Sequence, residues 1–474
     1  IFLRFSKTKA ATIRRLIKRL AQATYRLEGK DFHYLASARE QALLGDMVRD
    51  TAIDDPKRKT YIINVYLSKK GYDALQVPGA KVPPDPSFRG GLASFLKALR
   101  KQGKLQDPTK DWDKAYNNIH AMIAIAHNEQ IQVNGKRVVL NADTLLQDLI
   151  NVFTPYVVTI EKGKVLYNSD DRRTNEVIEH FGFRDGISNP VFFMEEWEKR
   201  RSEDINQQVD KFDSAAPLRL ALAEDPGCRK GAQAYGSYLV FGKLEQNVRA
   251  FEDDIQQLAQ SLTPNPQIAD PNERVKRAKA LVLGRYQDGT PITLRDRDGG
   301  VPNKHGGIAA SPNNFDFSDD PWSPTGAGRC PIHSHIRRSN PRGEAVRVKG
   351  EDSTHRIVRR GIPYGDREKE PKDGPTRAEL PTGDVGLLFM CFQGSIGFQF
   401  EHIIDEWCLY PDHPDAVMRD STGAGTHRSN YWPTQWHLNR DGGIKSVECP
   451  FPKHVYLKGG EYFFAPSIPF LKSL

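Results

Sequence analysis

Two stretches of this chain, separated by a long polar segment, carry the same alternation of short β-rich runs and amphipathic helical runs, which limits the folds open to it. In the first stretch Ile1, Leu3 and Phe5 alternate as in a strand, and Ile13, Leu16, Ile17, Leu20 and Thr24 then recur at helical spacing. Residues 61–67 are β-rich, 91–99 read as a helix, and Ile119, Ala121, Ile123 and Ile125 alternate along a further strand. Asn141 or Asp143 is placed to cap a helix over 145–153, after which 156–160 returns as a strand. The second stretch starts near Gly236 with a strand over 237–241 and a helix through Val248, Phe251 and Ile255. A strongly apolar strand at 385–391, a helix over 396–407 and a strand at 461–465 follow. Two such sets predict an α+β protein of two ferredoxin-like halves, residues 1–230 and 231–474, with antiparallel sheets and helices packed outside. No repeat shows at the level of residues, so the duplication is an expectation of architecture alone. The polar segment 194–236 reads as surface helix and loop, and 288–325 and 361–384, rich in Pro, Gly and Asp, read as long loops.

At 474 residues the chain can bury ample core for two such halves. Its net charge, 68 − 60 = +8, is weak evidence for nucleic acid over this length. Much of the excess falls between Arg337 and Arg377, which points to a local anionic ligand. Five scattered cysteines without a CxxC pair argue against a disulfide framework or zinc knuckle, and Cys391 and Cys408, in apolar runs, read as buried thiols. No apolar run approaches the roughly 18 residues of a membrane helix, and no membrane partner is expected. The chain begins at Ile1 rather than Met, as if inside a strand, so its true start is expected upstream; the compartment stays open, with the cytoplasm favoured over secretion.

Four elements could carry chemistry. The segment 330–342, CPIHSHIRRSNPR, places His333 and His335 among arginines, and a second basic stretch, RRGIPYG, follows at 359–365. One neutral nitrogen ligand beside guanidiniums suits haem, iron for the imidazole and propionates for the arginines, although a phosphate site would use the same residues. In an extended segment both histidines would share a face, so spacing does not choose between them. In Gly182-Phe-Arg-Asp-Gly186 two glycines bracket Asp185, which a tight turn could aim into a cavity to move a proton between the oxygens of a peroxide. Arg359, never deprotonated at working pH, is a fixed charge suited to a leaving oxygen, with Ile357 and Val358 arguing for partial burial. Residues 387–392, LLFMCF, form a core strand one face of which could wall an apolar cofactor pocket.

Taken in order, these segments resemble the dye-decolourising peroxidases. The resemblance runs through Asn64–Gly71, 113–126, Gly182–Gly186, Gly236-Ser-Tyr-Leu-Val-Phe-Gly, Gly284-Arg-Tyr-Gln-Asp-Gly-Thr-Pro, His335-Ile-Arg-Arg-Ser-Asn-Pro-Arg, Arg359-Arg-Gly-Ile-Pro-Tyr-Gly, 386–392 and Tyr462-Phe-Phe-Ala-Pro-Ser, nearly the whole chain. It implies one haem b per chain, held mainly by the C-terminal half, with His335 as iron ligand, Asp185 as distal acid and Arg359 as distal arginine. Leu387 and Phe389 would pack over the distal face, and Ile187 and Arg337 would complete the cofactor contacts. It implies oxidation of bulky aromatic donors, dyes and phenols, by hydrogen peroxide in one-electron steps, at the haem edge or through surface residues, for which Tyr364 and Trp322 are the candidates. The expanded loops look like those of the larger subgroup, and either a monomer or a homo-oligomer is compatible. A haem-storage or delivery protein without turnover is the alternative, and it would have no use for Asp185. One departure stands: the family's C-terminal aspartate, which hydrogen-bonds the proximal histidine, has no counterpart recognisable in 410–430.

Overall fold

The computed structural model describes residues 1–27, 30–33, 35–37, 61–103, 112–127, 130–133, 136–139, 142–169, 176–202, 212, 214–229, 231–262, 270–302, 308–309, 313–317, 329–331, 334–342, 352–408, 435–437, 446–449 and 451–474. Among the described residues ten strands make one sheet. They are β1 (Phe2–Leu3), β2 (Tyr61–Leu67), β3 (Ala121–His127), β4 (Val157–Thr159), β5 (Ala223–Glu224), β6 (Tyr235–Gln246), β7 (Val358–Arg359), β8 (Ile362–Tyr364), β9 (Gly386–Gln393) and β10 (Val455–Ala465). The main path runs β7-β9-β6-β10-β2-β3-β1-β4, with β5 beside β6 and β8 beside β9.

The predicted duplication is legible in this order. In the first half the strands, counted along the chain, lie 2-3-1-4, from β2 through β3 and β1 to β4. In the second half β7, β9, β6 and β10 repeat the 2-3-1-4 order. Every pairing among these strands is antiparallel, and each half inserts helices after its first and third strands, the ferredoxin-like pattern. The halves join where β10 meets β2, with Phe464 opposite Leu67.

The helices form for local reasons. In α1 (Ala10–Gln22) Ile13, Ile17, Leu20 and Ala21 are buried at helical spacing, and α2 (Leu92–Lys101) buries Leu92, Leu96 and Leu99 in the same way. The helix α3 (Ala142–Phe153) starts earlier than expected, which places Asp143 within it rather than at its cap; Asn141 lies outside the described residues. In α4 (Val248–Ser261) the Asn247 side chain caps the first turn by accepting from Ala250 N–H at 3.0 Å. In α5 (Pro271–Leu283) Asp270 is the cap, Pro271 opens the first turn and Gly284 closes the helix in the left-handed region. The helix expected over 396–407 is wound as π-turns, Gly397–Glu401 and Ile403–Cys408. The segment 361–384 is not a bare loop: it contains β8 and two short 3-10 turns closed by capping boxes, Glu370 with Asp373 and Thr376 with Glu379.

Two cores result. The larger lies on the sheet and includes Phe2, Leu3, Val65, Leu239, Phe241, Phe392 and Phe463. The smaller gathers Phe251, Ile255 and Leu258 of α4, Ala278 and Leu281 of α5, and Phe315, Phe317 and Cys330 from the connections. All five cysteines are free thiols, and no helix among the described residues is long and apolar enough to cross a membrane.

Candidate active site

The Gly182–Gly186 loop is shaped by its glycines and anchored by its middle. Gly182 and Gly186 adopt φ of +85° and +80°, the left-handed region that glycine enters without strain. Phe183 between them is buried in the smaller core, edge-on to Phe251 at 6.3 Å. Arg184 pairs with Glu176 at 2.6 Å, and Asp185 donates its N–H to the Val177 carbonyl at 2.9 Å. The Asp185 carboxylate therefore emerges from a loop pinned on both sides, with Oδ1 accepting from Gly186 N–H at 2.6 Å.

Arg359 reaches the same place from the sheet. Its backbone in β7 pairs with Cys391 of β9, and its N–H donates to Asn189 Oδ1 at 3.0 Å. One guanidinium nitrogen, Nη2, donates to the Ile187 carbonyl just beyond the Asp185 turn. The other, Nη1, stands 3.8 Å from Asp185 Oδ1. Directly opposed residues in an antiparallel pair share a face, and alternation carries that face from Cys391 to Phe389 and Leu387. Arg359, Phe389 and Leu387 thus stand on one side of the sheet, and Leu388 and Phe392 are buried on the other.

His335 is the first residue of a short helix, α6 (His335–Ser339), with Ser334 at its cap. The residue is exposed, yet the protein around its ring desolvates it; that desolvation, aided by the positive charge of Arg359, lowers its pKa to about 4. An imidazole held neutral is the form that can donate a lone pair to a metal. His335 feels the positive charge of Arg359, whose guanidinium stands 3.8 Å from the Asp185 carboxylate.

The smaller core fixes α6 as it fixes the aspartate loop. Ile336 packs against that core, and Gly284 makes the approach possible: a Cβ there would stand 2.3 Å from Ile336 Cγ1 and 3.1 Å from Ser334 Oγ, and its φ is +98°. This is why a glycine opens the GRYQDGTP segment. From the other side, Arg338 donates to the Trp407 carbonyl at 3.2 Å, tying α6 to the π-wound helix.

The remaining expected residues fall as follows. Ile187 is half-buried and lends its carbonyl to Arg359. Arg337 is 1% exposed, donates to the Cys330 carbonyl and stacks over Phe317 at 4.7 Å. On a helix it lies about 200° around from His335. Tyr364, expected at the surface, is instead 6% exposed: β8 sends it to the inner side of the sheet, under Lys243 Nζ at 5.1 Å from its ring centre. There it borders a cavity of about 640 Å³ shared with Asp113, Glu161 and Lys243. His333, Trp322 and the region 410–430 lie outside the described residues.

Sequence reading passed over two buried arginines that meet at Ser188, three residues beyond Asp185. Arg285 and Arg342 are 4% and 3% exposed. Arg285 Nη2 donates to Asn313 Oδ1 at 2.7 Å, and Arg342 Nη2 donates to Ser188 Oγ, just past Asp185, at 3.0 Å. Burial first, and then the like charge of Arg359, push the Arg285 guanidinium down to about 9. Such a concentration of buried positive charge suits an anionic group. Both arginines stand inside segments that the sequence flagged, GRYQDGTP and HIRRSNPR, so the signal was present but unassigned.

Comparison with known proteins bears on this arrangement. A sequence model described as "Dyp-type peroxidase, C-terminal" matches residues 283–425. The chain is 33% identical over 428 residues to the multifunctional dye peroxidase DyP2 of Amycolatopsis sp., covering 88% of this chain and 82% of that protein. It is 26% identical over 444 residues to the dye-decolorizing peroxidase msp1 of Mycetinis scorodonius, covering 87% and 76%. Among solved structures, that of the DyP-type peroxidase of Anabaena sp. superposes with a TM-score of 0.73 at 29% identity, covering all of this chain and 90% of its own.

Proposed function

The chain belongs to the dye-decolourising peroxidase family of hydrogen-peroxide-dependent oxidoreductases, and from that premise we propose that it holds one haem b on His335 and uses Asp185 and Arg359 to break the O–O bond of hydrogen peroxide. The observation that carries the reading is the approach of the Arg359 guanidinium to the Asp185 carboxylate at 3.8 Å, beside a histidine that feels the charge of Arg359.

The residues present fit the group. His335 offers a neutral nitrogen; Leu387, Phe389 and Ile187 offer an apolar wall; the charge of Arg285 and Arg342, buried behind Ser188, favours an anionic group nearby. Arg337, with its guanidinium engaged by Cys330 and Phe317, serves the site through the segment that it braces. Haem bound there supplies the electrons that reduce the peroxide and afterwards recovers them singly from the donor.

The chain's own groups handle the protons and the charge. Asp185 accepts the proton from the near oxygen of the peroxide and delivers it to the far oxygen, which departs as water. Arg359, 3.8 Å away, stabilises the negative charge that grows on the departing oxygen and cannot itself lose a proton. Bulky phenols and dyes are the donors, oxidised at the edge of the site or through a side-chain relay, in which Tyr364 would act as an interior station and Trp322 as the other candidate. A protein that only stored haem would have no use for an acid beside the arginine.

The test is spectroscopic. Purified protein supplied with haem should show a Soret band that changes on adding stoichiometric peroxide, and His335→Ala should lose haem while His333→Ala keeps it. Protein that takes up no haem, or a His335→Ala variant that binds it as the parent does, would sink the reading.

A further inference from the structure

We propose that Glu179 is a positioning residue for Asp185, its carboxylate clamping the backbone of the turn that aims the catalytic acid. The inference rests on the assignment of Asp185 above and deepens it. Glu179 stands at the base of the loop, which closes on it by two backbone bonds: Glu179 N–H to the Phe183 carbonyl at 3.0 Å and Gly182 N–H to the Glu179 carbonyl at 2.8 Å. Its side chain then folds back into the turn. Oε2 accepts from Phe181 N–H and Oε1 from Phe183 N–H, each at 3.0 Å. A third donor arrives from the sheet, Gln246 Nε2, at 2.6 Å from Oε2. Gln246 ends β6 and is itself fixed by its N–H to the Val385 carbonyl at 2.8 Å. The carboxylate therefore couples the aspartate loop to the central strand of the haem half, and hydrogen bonds to an ionised acceptor are about twice as strong as neutral ones.

The charged surroundings make this clamp responsive to pH. Burial raises the Glu179 pKa to about 7; the three hydrogen bonds oppose the rise and the like charge of Asp185 adds to it. A nearby cation is Arg367, which donates to the His180 carbonyl at 2.8 Å and feels both Glu179 and Glu252. Glu252 is in turn paired with Lys279 at 2.6 Å behind the loop. His180, the neighbour in sequence, is held neutral by burial. Ionised, Glu179 satisfies three donors. Protonated, it must place a proton of its own, and Gln246 Oε1, buried without a partner among the described residues, is the acceptor at hand if the amide turns over. The clamp then grips the turn through neutral bonds only. The reaction with peroxide should accordingly be fast above about pH 7 and slower below it.

The test uses haem-loaded enzyme mixed rapidly with peroxide and followed in the Soret region. Glu179→Gln should keep the haem content and resting spectrum of the parent and react about tenfold more slowly at pH 8. It should also lose the inflection near 7 that the parent shows. Gln246→Leu removes a bond that favours the ionised form, so it should move the inflection to higher pH. Parent-like rate and inflection in Glu179→Gln overturn the proposal. If that variant fails to hold haem, an unmoved inflection in Gln246→Leu overturns it instead. A parent enzyme that shows no Soret response at all would count against the haem assignment rather than against the clamp.

Discussion

Arg359 Nη1 and Asp185 Oδ1 face each other at 3.8 Å, within ion-pair range but too far for a hydrogen bond. Each is held from elsewhere, Arg359 by the Ile187 carbonyl and Asp185 by the Gly186 N–H, so the pair cannot collapse into a closed salt bridge without giving up those bonds.

Removing the acid should show in the first step of turnover. Asp185→Asn preserves shape and haem binding but cannot take a proton, and the second-order rate with peroxide should fall by about 10²- to 10⁴-fold. Stopped-flow absorbance of haem-loaded protein reads this directly, and a rate within a factor of about two of the parent would remove Asp185 from the mechanism.

For Arg359 the geometry of the side chain matters as well as its charge. Lysine carries the charge but cannot hold the Ile187 carbonyl with one nitrogen while presenting another to Asp185. Arg359→Lys should therefore be slowed about tenfold and Arg359→Leu about 10²- to 10³-fold in the same reaction. Equal rates for the two variants would show that the positive charge contributes nothing.

Acid should weaken the fold through His180. Burial lowers its pKa to about 4, below its ordinary 6.5, and its Nε2–H donates to the Tyr364 carbonyl at 2.8 Å. Folding thus disfavours the protonated ring: stability is intact above about pH 6.5 and is lost as pH falls toward 4, on the order of 3 kcal/mol from this residue. His180→Gln keeps a donor without a titrating ring, so its Tm should fall less between pH 6.5 and 4 than that of the parent. Parallel Tm curves would refute the assignment.

The close approach at Gly284 predicts a structural defect with a functional readout. Alanine there meets Ile336 Cγ1 at 2.3 Å and must accept φ of +98°, which together cost on the order of 2 kcal/mol or more. Gly284→Ala should lower Tm and, by displacing α6, release haem more readily during gel filtration. Parent-like haem retention would mean that α6 does not depend on this contact.

The sequence disclosed most elements because their signals are local: alternation in β2, β3 and β9, helical spacing in α1 and α4, glycines around Asp185. The alternation of strands and helices pointed to two ferredoxin-like halves, but the particular partners were not local, since pairing between β6 and β10 joins residues far apart in the chain. Tyr364 and Arg337 were misplaced for a related reason. Which face a side chain takes depends on strand register and helix phase: one residue of slip flips it across a strand, and two residues carry it about 200° around a helix. Glu179 and Gln246 gave no signal, because neither is unusual until the loop folds back onto the strand.

The smaller core has a consequence for heat. Phe183 and Ile336 bury in the same cluster, so one compact body of side chains sets the spacing between the aspartate loop and the histidine helix, while the larger core sits on the sheet. Cooperative units of a protein can open separately. Enzyme warmed gradually should therefore lose turnover before it loses its β-sheet, and cooling from that intermediate point should bring the activity back.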